Sequence, residues 1–246
     1  MNDKTSDARR EALRQKRRAK AMAAKLRRQE ARAALREKLR QREIPVGAPD
    51  CPPVDVTRIV AFDTERAGFV EDDFIEIGAV RVDLAAGTVE EFHALMEPRT
   101  RLNRHVAAMT GFTPEDLKGQ ERQRDVLPRF VRFVGDAVAV GHAIGDNDLI
   151  QINLALARYH LAPAGSFAPV FIDTEHASHR LFDGPECPIQ KFGLTAMLTH
   201  LGFPLEERHR ALDDAAASFV LLRYLFDLAH RPEANRLRGV LEERLR

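Results

Sequence analysis

Two carboxylates directly follow an apolar stretch that is typical of a buried strand. Residues 59–62 read Ile-Val-Ala-Phe, and Asp63, Thr64 and Glu65 come next. Asp63 and Glu65 are two positions apart, so in an extended chain both side chains project from the same face. Buried carboxylates are costly unless they are paired or bind a cation, and oxygen ligands suit Mg²⁺ or Mn²⁺. The pattern predicts a divalent-cation site at the end of this strand, with a solvated strand end as the alternative.

A second pair of residues that can do chemistry is His209 with Asp214. Five residues on a helix make about one and a half turns, so His209 is expected in the loop or first turn above Asp214. Histidine is the natural proton acceptor near neutral pH because its ordinary pKa is about 6.5. The spacing therefore predicts a mobile base beside an anchored cation ligand.

A third block follows the short apolar run 137–140. It begins with Gly141-His142 and ends with Asp146-Asn147-Asp148, after which Leu149 opens a helical pattern. In sheets in which strands and helices alternate, sites gather beyond the strand ends. We therefore expect Asp148 to lie near Asp63 and Glu65.

The elements that must position these residues can be predicted from the apolar periodicity. Strands are predicted at 59–65, 74–82, 89–96, 137–140 and 170–172. Helices are predicted at 104–109, 126–134, 149–160, 174–182, 191–201, 210–230 and 232–245. Thr113, with Pro114 and Asp116, predicts a further helix start. This order is typical of an α/β fold with a hairpin at its start.

The charges are distributed unevenly along the chain. Residues 1–43 hold 16 Lys and Arg against 6 Asp and Glu, whereas the remainder holds 22 against 31. Residues 8–43 contain neither Gly nor Pro and are rich in helix formers, which predicts a long basic helix or an arm that is disordered until it binds. A solvated tail, a nucleic-acid-binding arm and a helical dimer arm are the possible roles. Four prolines at 44–57 indicate a linker.

The sequence thus predicts a basic arm at 1–43, a Pro-rich linker at 44–57, a catalytic domain at 58–230 and a C-terminal helix at 231–246. Only two cysteines are present, so no disulfide framework is expected. No apolar run reaches the length of a membrane span, and the basic N-terminal segment lacks the apolar stretch of a secretory signal. We expect a cytoplasmic protein.

The three blocks, in this order, resemble the DEDDh family of 3′–5′ exonucleases, which is related to the polymerase proofreading (epsilon) subunit and to RNase T. The blocks that carry the resemblance are 62–65 with Gly68-Phe69, 141–149 and 209–215. The last reads His-Arg-Ala-Leu-Asp-Asp-Ala and follows the family pattern almost letter for letter. The resemblance covers roughly residues 57–230.

The resemblance implies an RNase H-like mixed five-stranded sheet flanked by helices. It also implies that two Mg²⁺ or Mn²⁺ ions are bound by four acids, namely Asp63, Glu65, Asp148 and Asp214. In this family one ion activates a water and the other stabilises the leaving 3′ oxygen. The expected products are nucleoside 5′-monophosphates.

The resemblance also assigns roles to residues that do not bind the ions. His209 would deprotonate the attacking water. Thr64 and Phe69 stand where family members contact the terminal nucleotide, and Phe69 can stack on or wedge beside any base. His142 is placed with the substrate-binding residues, although a structural hydrogen-bonding role is favoured over a catalytic one.

The middle block departs from the family pattern. The family usually has Asn after the His and five residues from His to Asp, whereas here Ala143 follows His142 and Asp148 is six away. Asp146 therefore competes with Asp148 as the third acid. We choose Asp148, because the helix pattern that follows it matches the family, and expect Asp146 at the surface or capping the helix.

The leading hypothesis is a metal-dependent 3′–5′ exonuclease that acts on single-stranded ends, with DNA favoured over RNA. The alternative is a catalytically degenerate nucleic-acid-binding protein that uses the basic arm. A polymerase or another nucleic-acid-processing protein is a possible partner, and no membrane association is expected. The oligomeric state stays open.

Overall fold

A computed structural model describes residues 3–48, 51, 57–70, 72–182, 189–203 and 209–225. Within it, the side chains before residue 14 and that of residue 24 are not described. Three predicted segments lie wholly or partly outside the described residues: the C-terminal helix at 231–246, the last residues of the domain and half of the Pro-rich linker.

A five-stranded mixed sheet forms the centre of the fold. Its strands are β1 (Arg58–Arg66), β2 (Phe74–Asp83), β3 (Thr88–Leu95), β4 (Val138–Gly141) and β5 (Phe171–Asp173), in the spatial order β3-β2-β1-β4-β5. β1, β2 and β3 are antiparallel neighbours, whereas β4 runs parallel to both β1 and β5. The central strand is therefore β1, which carries the first pair of carboxylates.

Helices cover both faces of the sheet. They are α1 (Asp3–Arg40), α2 (Arg104–Thr110), α3 (Pro114–Leu117), α4 (Gln123–Val134), α5 (Asp148–Arg158), α6 (Thr174–Phe182), α7 (Leu194–His200) and α8 (Ala211–Leu225). One core joins Ile59 and Ala61 of β1 to α6, α7 and α8. A second core joins Val60 and Phe62 to α4 and α5. The predicted mixed sheet flanked by helices is confirmed.

The helix start predicted from Thr113, Pro114 and Asp116 is present, whereas two other helix boundaries differ from the predicted ones. Thr113 and Asp116 form a capping box, so a one-turn helix, α3, precedes α4. α4 starts at Gln123 instead of 126, because buried Gln123 donates to the Asp73 carboxylate and to the Phe74 carbonyl oxygen. α7 is shorter than predicted and begins after Gly193.

The basic segment forms a helix whose last turns pack on the body. Leu35 and Leu39 are buried in the core that contains α5, whereas the described side chains from 14 to 31 are exposed. The Lys38 ammonium donates to the Gly165 carbonyl oxygen at 2.6 Å, and Glu43 pairs with Arg180 at 2.7 Å. The helical form of the arm is confirmed, and the domain boundaries at 43 and 57 stay predictions.

A close approach between β2 and α8 fixes the start of that helix. Gly78 pairs with Asp63 across the sheet. A Cβ atom on Gly78 would lie 2.1 Å from the backbone nitrogen of Leu212 and 2.4 Å from the carbonyl carbon of Ala211. Only a glycine lets the first turn of α8 lie this close to the sheet.

We expect Gly78→Ala to destabilise the protein by roughly 3 kcal/mol, at the upper end of the usual over-packing cost, because backbone must move. Gly193→Ala is the control, since nothing lies within 4 Å of its Cβ position, and it should cost less than about 1 kcal/mol. Urea unfolding followed by circular dichroism measures both. Equal losses would contradict the close-approach argument.

Candidate active site

The strand β1 sends its successive side chains to opposite faces, and this alternation sorts the site residues. Ile59 and Ala61 face α8, so Asp63 and Glu65 follow on that side. Val60 and Phe62 face α5, so Thr64 follows on the other side. The strand thus presents carboxylates towards α8 and a hydroxyl towards α5.

Asp148 is the first residue of α5 and is buried. The Thr64 hydroxyl donates a hydrogen bond to its Oδ1. The positive end of the helix dipole favours a carboxylate at this position. The contact between Thr64 and Asp148 therefore ties the start of α5 to the end of β1.

Asp214 and His209 come from the start of α8 and the residues before it. His209 Nδ1 lies 3.7 Å from Asp214 Oδ2, and the backbone N–H of His209 donates to the Met109 carbonyl oxygen at 3.3 Å. Glu65, His209 and Asp214 each offer a ligand atom within 4.8 Å of the others. The structure thus brings the third sequence block to the first.

Burial raises the pKa of all four acids, and repulsion from other members of the set adds to this effect at Asp63 and Glu65. Burial, followed by the charges of Asp148, Glu65 and Asp214, raises the pKa of Asp63 well above its ordinary value. Burial and neighbouring carboxylates also raise the pKa of Glu65 to about 8. Burial raises the pKa of Asp148 to about 6, and burial with the charge of Asp213 raises the pKa of Asp214 to about 7. These shifts show that the four acids form one electrostatic cluster.

The donor set fits hard divalent cations. Carboxylates that repel one another in a buried site are stabilised when a cation neutralises them. Their oxygen atoms match the ligand preference of Mg²⁺ and Mn²⁺. The donor chemistry of this cluster therefore fits a divalent cation.

The structure separates the two candidates for the third acid. Asp148 is in contact with Thr64 and raises the pKa of Asp63. The carboxylate of Asp146 instead pairs with Arg36 of α1 at 2.6 Å and lies 3.6 Å from His176. Asp148 is thus the acid that joins the cluster, and Asp146 serves the docking of α1.

His142 and Phe69 lie apart from the carboxylates in different environments. His142 Nδ1 is 3.0 Å from the Thr174 hydroxyl, and burial lowers the pKa of His142 to about 4. This arrangement suits the structural role favoured from the sequence. Phe69 follows β1 in the next loop and is 94% exposed, so its ring is available to a ligand.

Glu76 is a buried residue that the sequence analysis did not assign to the site. Its carboxylate accepts from the Arg210 guanidinium at 3.1 Å and from the Ala211 backbone N–H at 3.1 Å, and it lies 2.7 Å from His93 Nε2. Burial opposes its ionisation, but the hydrogen bonds of His93 and Arg210 outweigh that effect and lower its pKa. Glu76 therefore fixes the segment between His209 and Asp214. An acid inside an otherwise apolar strand was the available signal.

Asp173, the last residue of β5, is a second buried acid outside the predicted site residues. Its carboxylate caps α6 by accepting from the backbone N–H groups of Glu175 at 3.0 Å and His176 at 3.3 Å. It also accepts from Ala143 and Gly145, both at 3.0 Å. Asp173 thus holds the loop that leads to Asp148.

That loop contains a strained position. Ala143 has φ 58°, a left-handed conformation that is unfavourable for a residue with a Cβ atom. Asn, which the family pattern carries here, tolerates this conformation better. The bond from the Ala143 N–H to Asp173 helps to hold the substituted residue in place.

Comparison with known proteins decides the family. A family model described as Exonuclease matches residues 60–222, well over half of the chain. The chain belongs to this exonuclease family. The resemblance inferred from the three sequence blocks, and the prediction of an exonuclease, are confirmed.

Curated relatives of this exonuclease include bacterial replication proteins. The DNA polymerase III subunit epsilon of Aquifex aeolicus is 32% identical over 158 residues, which cover 63% of this chain and 74% of the relative. The PolC-type DNA polymerase III of Clostridium perfringens is 32% identical over 170 residues, which cover 68% of this chain and 11% of the relative. The chain thus spans a small part of that polymerase.

Solved structures share the fold of this exonuclease. The nuclease domain of 3′hExo, a DEDDh family member bound to rAMP, has a TM-score of 0.55 and 19% identity, covering 74% of this chain and 96% of that one. E. coli Exonuclease I in complex with a dT13 oligonucleotide has a TM-score of 0.58 and 14% identity, covering 75% and 43%. The predicted RNase H-like fold is confirmed. Among the described helices, none has both the length and the apolar character needed to cross a bilayer.

The raised pKa values predict how the response to cations depends on pH. An acid whose pKa is raised in the folded protein takes up protons on folding, so the free energy of unfolding falls as pH rises from about 4 to about 8. A divalent cation competes with these protons. We expect Mn²⁺ to raise the Tm by roughly 5–10 °C at pH 8.5 and much less at pH 5.5.

Differential scanning fluorimetry with Asp63→Asn tests this assignment. The variant should melt higher than the wild type in EDTA at pH 8.5, since it removes one of the repelling charges, and should lose most of the response to Mn²⁺. Asp136→Asn is the control, because the Asp136 side chain is 77% exposed. An unchanged response in Asp63→Asn would contradict a cation site at the end of β1.

Asp173→Ala should lower both stability and activity. The substitution leaves buried N–H donors without their acceptor, so we expect a loss of roughly 3 kcal/mol or more, with impaired catalysis because the loop before Asp148 is released. Asp116→Ala, which removes an exposed helix cap, should cost about 1 kcal/mol and spare turnover. Urea unfolding and nuclease rates measure both effects. Full activity in Asp173→Ala would refute the positioning role.

Proposed function

We propose that the protein is a 3′–5′ exonuclease that hydrolyses single-stranded nucleic-acid ends to nucleoside 5′-monophosphates. One observation carries the proposal: four carboxylates and a histidine from three distant parts of the chain converge at the end of the central strand. The alternative, a degenerate binding protein, gives no reason for keeping a cluster of repelling buried acids.

Two divalent cations, Mg²⁺ or Mn²⁺, would be held by the acid cluster, which consists of Asp63, Glu65, Asp148 and Asp214. When bound, these cations would neutralise the negative charge that develops on the phosphate and would lower the pKa of the attacking water. The chain itself contributes the fixed placement of the four carboxylates on β1, α5 and α8.

His209 is proposed to take the proton from the attacking water. Its side chain is 46% exposed, so it can reach a water beside a bound substrate, and Asp214 lies 3.7 Å from its Nδ1. A neighbouring carboxylate stabilises the imidazolium that forms when the proton is transferred. Removing the histidine should therefore slow turnover without dismantling the acid cluster.

Two further residues, Thr64 and Phe69, are proposed to face the substrate, and His142 is proposed to support the loop that leads to α5. Thr64 lies between the acids on β1 and contacts Asp148, and this position supports a contact of Thr64 with the terminal nucleotide. The exposed ring of Phe69 offers a stacking surface for a base. His142 would give this support through the contact of its Nδ1 with the Thr174 hydroxyl at 3.0 Å.

DNA is favoured as the substrate, and the similarity to DNA polymerase III proteins supports this choice. The same similarity supports a polymerase as a partner, because the Aquifex aeolicus relative is named as a polymerase subunit. Retention of this protein on an immobilised replicative polymerase, compared with an immobilised unrelated protein, tests the partnership.

The function is tested with a 5′-labelled single-stranded oligonucleotide, prepared once as DNA and once as RNA, in Mg²⁺, Mn²⁺ or EDTA. We expect a ladder that shortens from the 3′ end and is absent in EDTA, with DNA degraded faster. Asp63→Asn should remove activity, and His209→Ala should lower the rate about 10²- to 10⁴-fold. His200→Ala, at an exposed histidine on α7, is the matched control.

Three results would count against the proposal. Absence of any degradation while binding persists would favour the degenerate alternative. Products of internal cleavage would indicate that the protein is an endonuclease and not an exonuclease. Full activity of His209→Ala would leave the cation site in place but remove the proposed base.

A further inference from the structure

A groove of about 700 Å³ lies between α1, α5 and the loop after β1. Lys25, Arg28 and Arg32 of α1 line one side, Arg158 of α5 lines the other, and Phe69 stands at the edge. Asp72 is the acid in its lining, and Arg99 at 3.1 Å and Arg158 both pair with it. The groove therefore combines an excess of positive charge with an exposed aromatic ring.

The basic residues of the groove continue the face of α1 that packs on the body. Residues 25, 28, 32, 35 and 39 are spaced by three and four, so they share one face of the helix. Leu35 and Leu39 on this face are buried against the body, whereas Lys25 and Arg28 beyond it are exposed. The face changes from apolar to basic where the helix leaves the core and overhangs the groove.

Specific contacts hold this part of α1 against the start of α5. The Arg32 guanidinium donates to the Asp146 carbonyl oxygen at 3.1 Å, and Arg36 pairs with the Asp146 carboxylate at 2.6 Å. Asp146 lies two residues before Asp148, which joins the acid cluster. The basic side of the groove is thus held in place by contacts with the loop that leads to Asp148.

The groove lies close to the acid cluster along two elements. Phe69 is four residues after Glu65, in the loop that follows the same strand. Along α5, Leu154 of the groove lining is six residues from Asp148, which is about 9 Å at the helical rise. A strand whose 3′ end lies at the carboxylates can reach the groove within a few nucleotides.

We propose that this groove holds the single-stranded segment behind the 3′ end, with its phosphates on Lys25 and Arg28 of α1. The proposal rests on the proposed function and assigns to the basic arm a place in the substrate path. Electrostatic attraction to phosphates and stacking on Phe69 are both tolerant of sequence. The arm would therefore determine the affinity of the protein for long single strands.

The test compares Arg28→Ala with Arg27→Ala in the full chain. Both residues are exposed arginines on the same turn of α1, but Arg27 is absent from the groove lining. The probe is a 5′-fluorescein thymidine 12-mer, compared with a 3-mer, and binding is measured by anisotropy in an Asp63→Asn background so that the probe survives. Arg28→Ala should weaken 12-mer binding about fivefold more than Arg27→Ala, and this gap should shrink with the 3-mer.

The salt dependence gives a second readout. Removing one phosphate contact to a single strand should lower the slope of log K against log salt concentration by about 0.7, in Arg28→Ala but not in Arg27→Ala. Equal binding and equal slopes in the two variants would overturn the groove, while degradation of the oligonucleotide by the wild type would still support the exonuclease. A gap between the variants without any degradation would keep the groove and reject the proposed function.

Discussion

Carboxylates at the end of β1 repel one another inside a structure that is packed on both of its faces. The strand cannot rotate these side chains away from one another. Its orientation is fixed because Ile59 and Ala61 are buried on one face and Val60 and Phe62 on the other. The sheet therefore holds the acids together despite their electrostatic repulsion. This repulsion, together with burial, raises the pKa of Asp63 and Glu65. This constraint makes the end of β1 a place where cations are favoured.

The surrounding structure limits how far the cluster can relax. Gly78 lets the first turn of α8 lie against the sheet, and Glu76 accepts hydrogen bonds from the residues that open this helix. Asp173 does the same for the loop that leads to α5. The helices that carry Asp148 and Asp214 are thus each fixed at their start by separate buried contacts. Such support holds catalytic groups in place at no cost during the reaction.

The sequence was informative wherever the signal is local. Asp63 and Glu65 follow an apolar run, and His209 and Asp214 have a helical spacing. Each pair can therefore be recognised from the sequence around it, although that sequence does not show that the two pairs lie close together. Glu76 and Asp173 were not assigned to the site, because their partners are distant in sequence: Arg210 is 134 residues from Glu76, and Ala143 is 30 from Asp173. Periodicity indicates which face of a helix or strand a residue occupies, but not which groups from distant parts of the chain lie next to that face. The docking of α1 was missed for the same reason, since Asp146 is 114 residues from Arg32.

The long separations of the α1 contacts have a consequence for biosynthesis. Lys38 meets Gly165 and Glu43 meets Arg180, 127 and 137 residues further along the chain. A ribosome makes α1 before these partners, at about 5–20 residues per second, so several seconds pass between the synthesis of Leu35 and Leu39 and that of Gly165 and Arg180. During this interval the nascent helix displays a basic surface and two uncovered leucines. These two contacts of α1 therefore cannot form until the chain has been synthesised as far as Arg180.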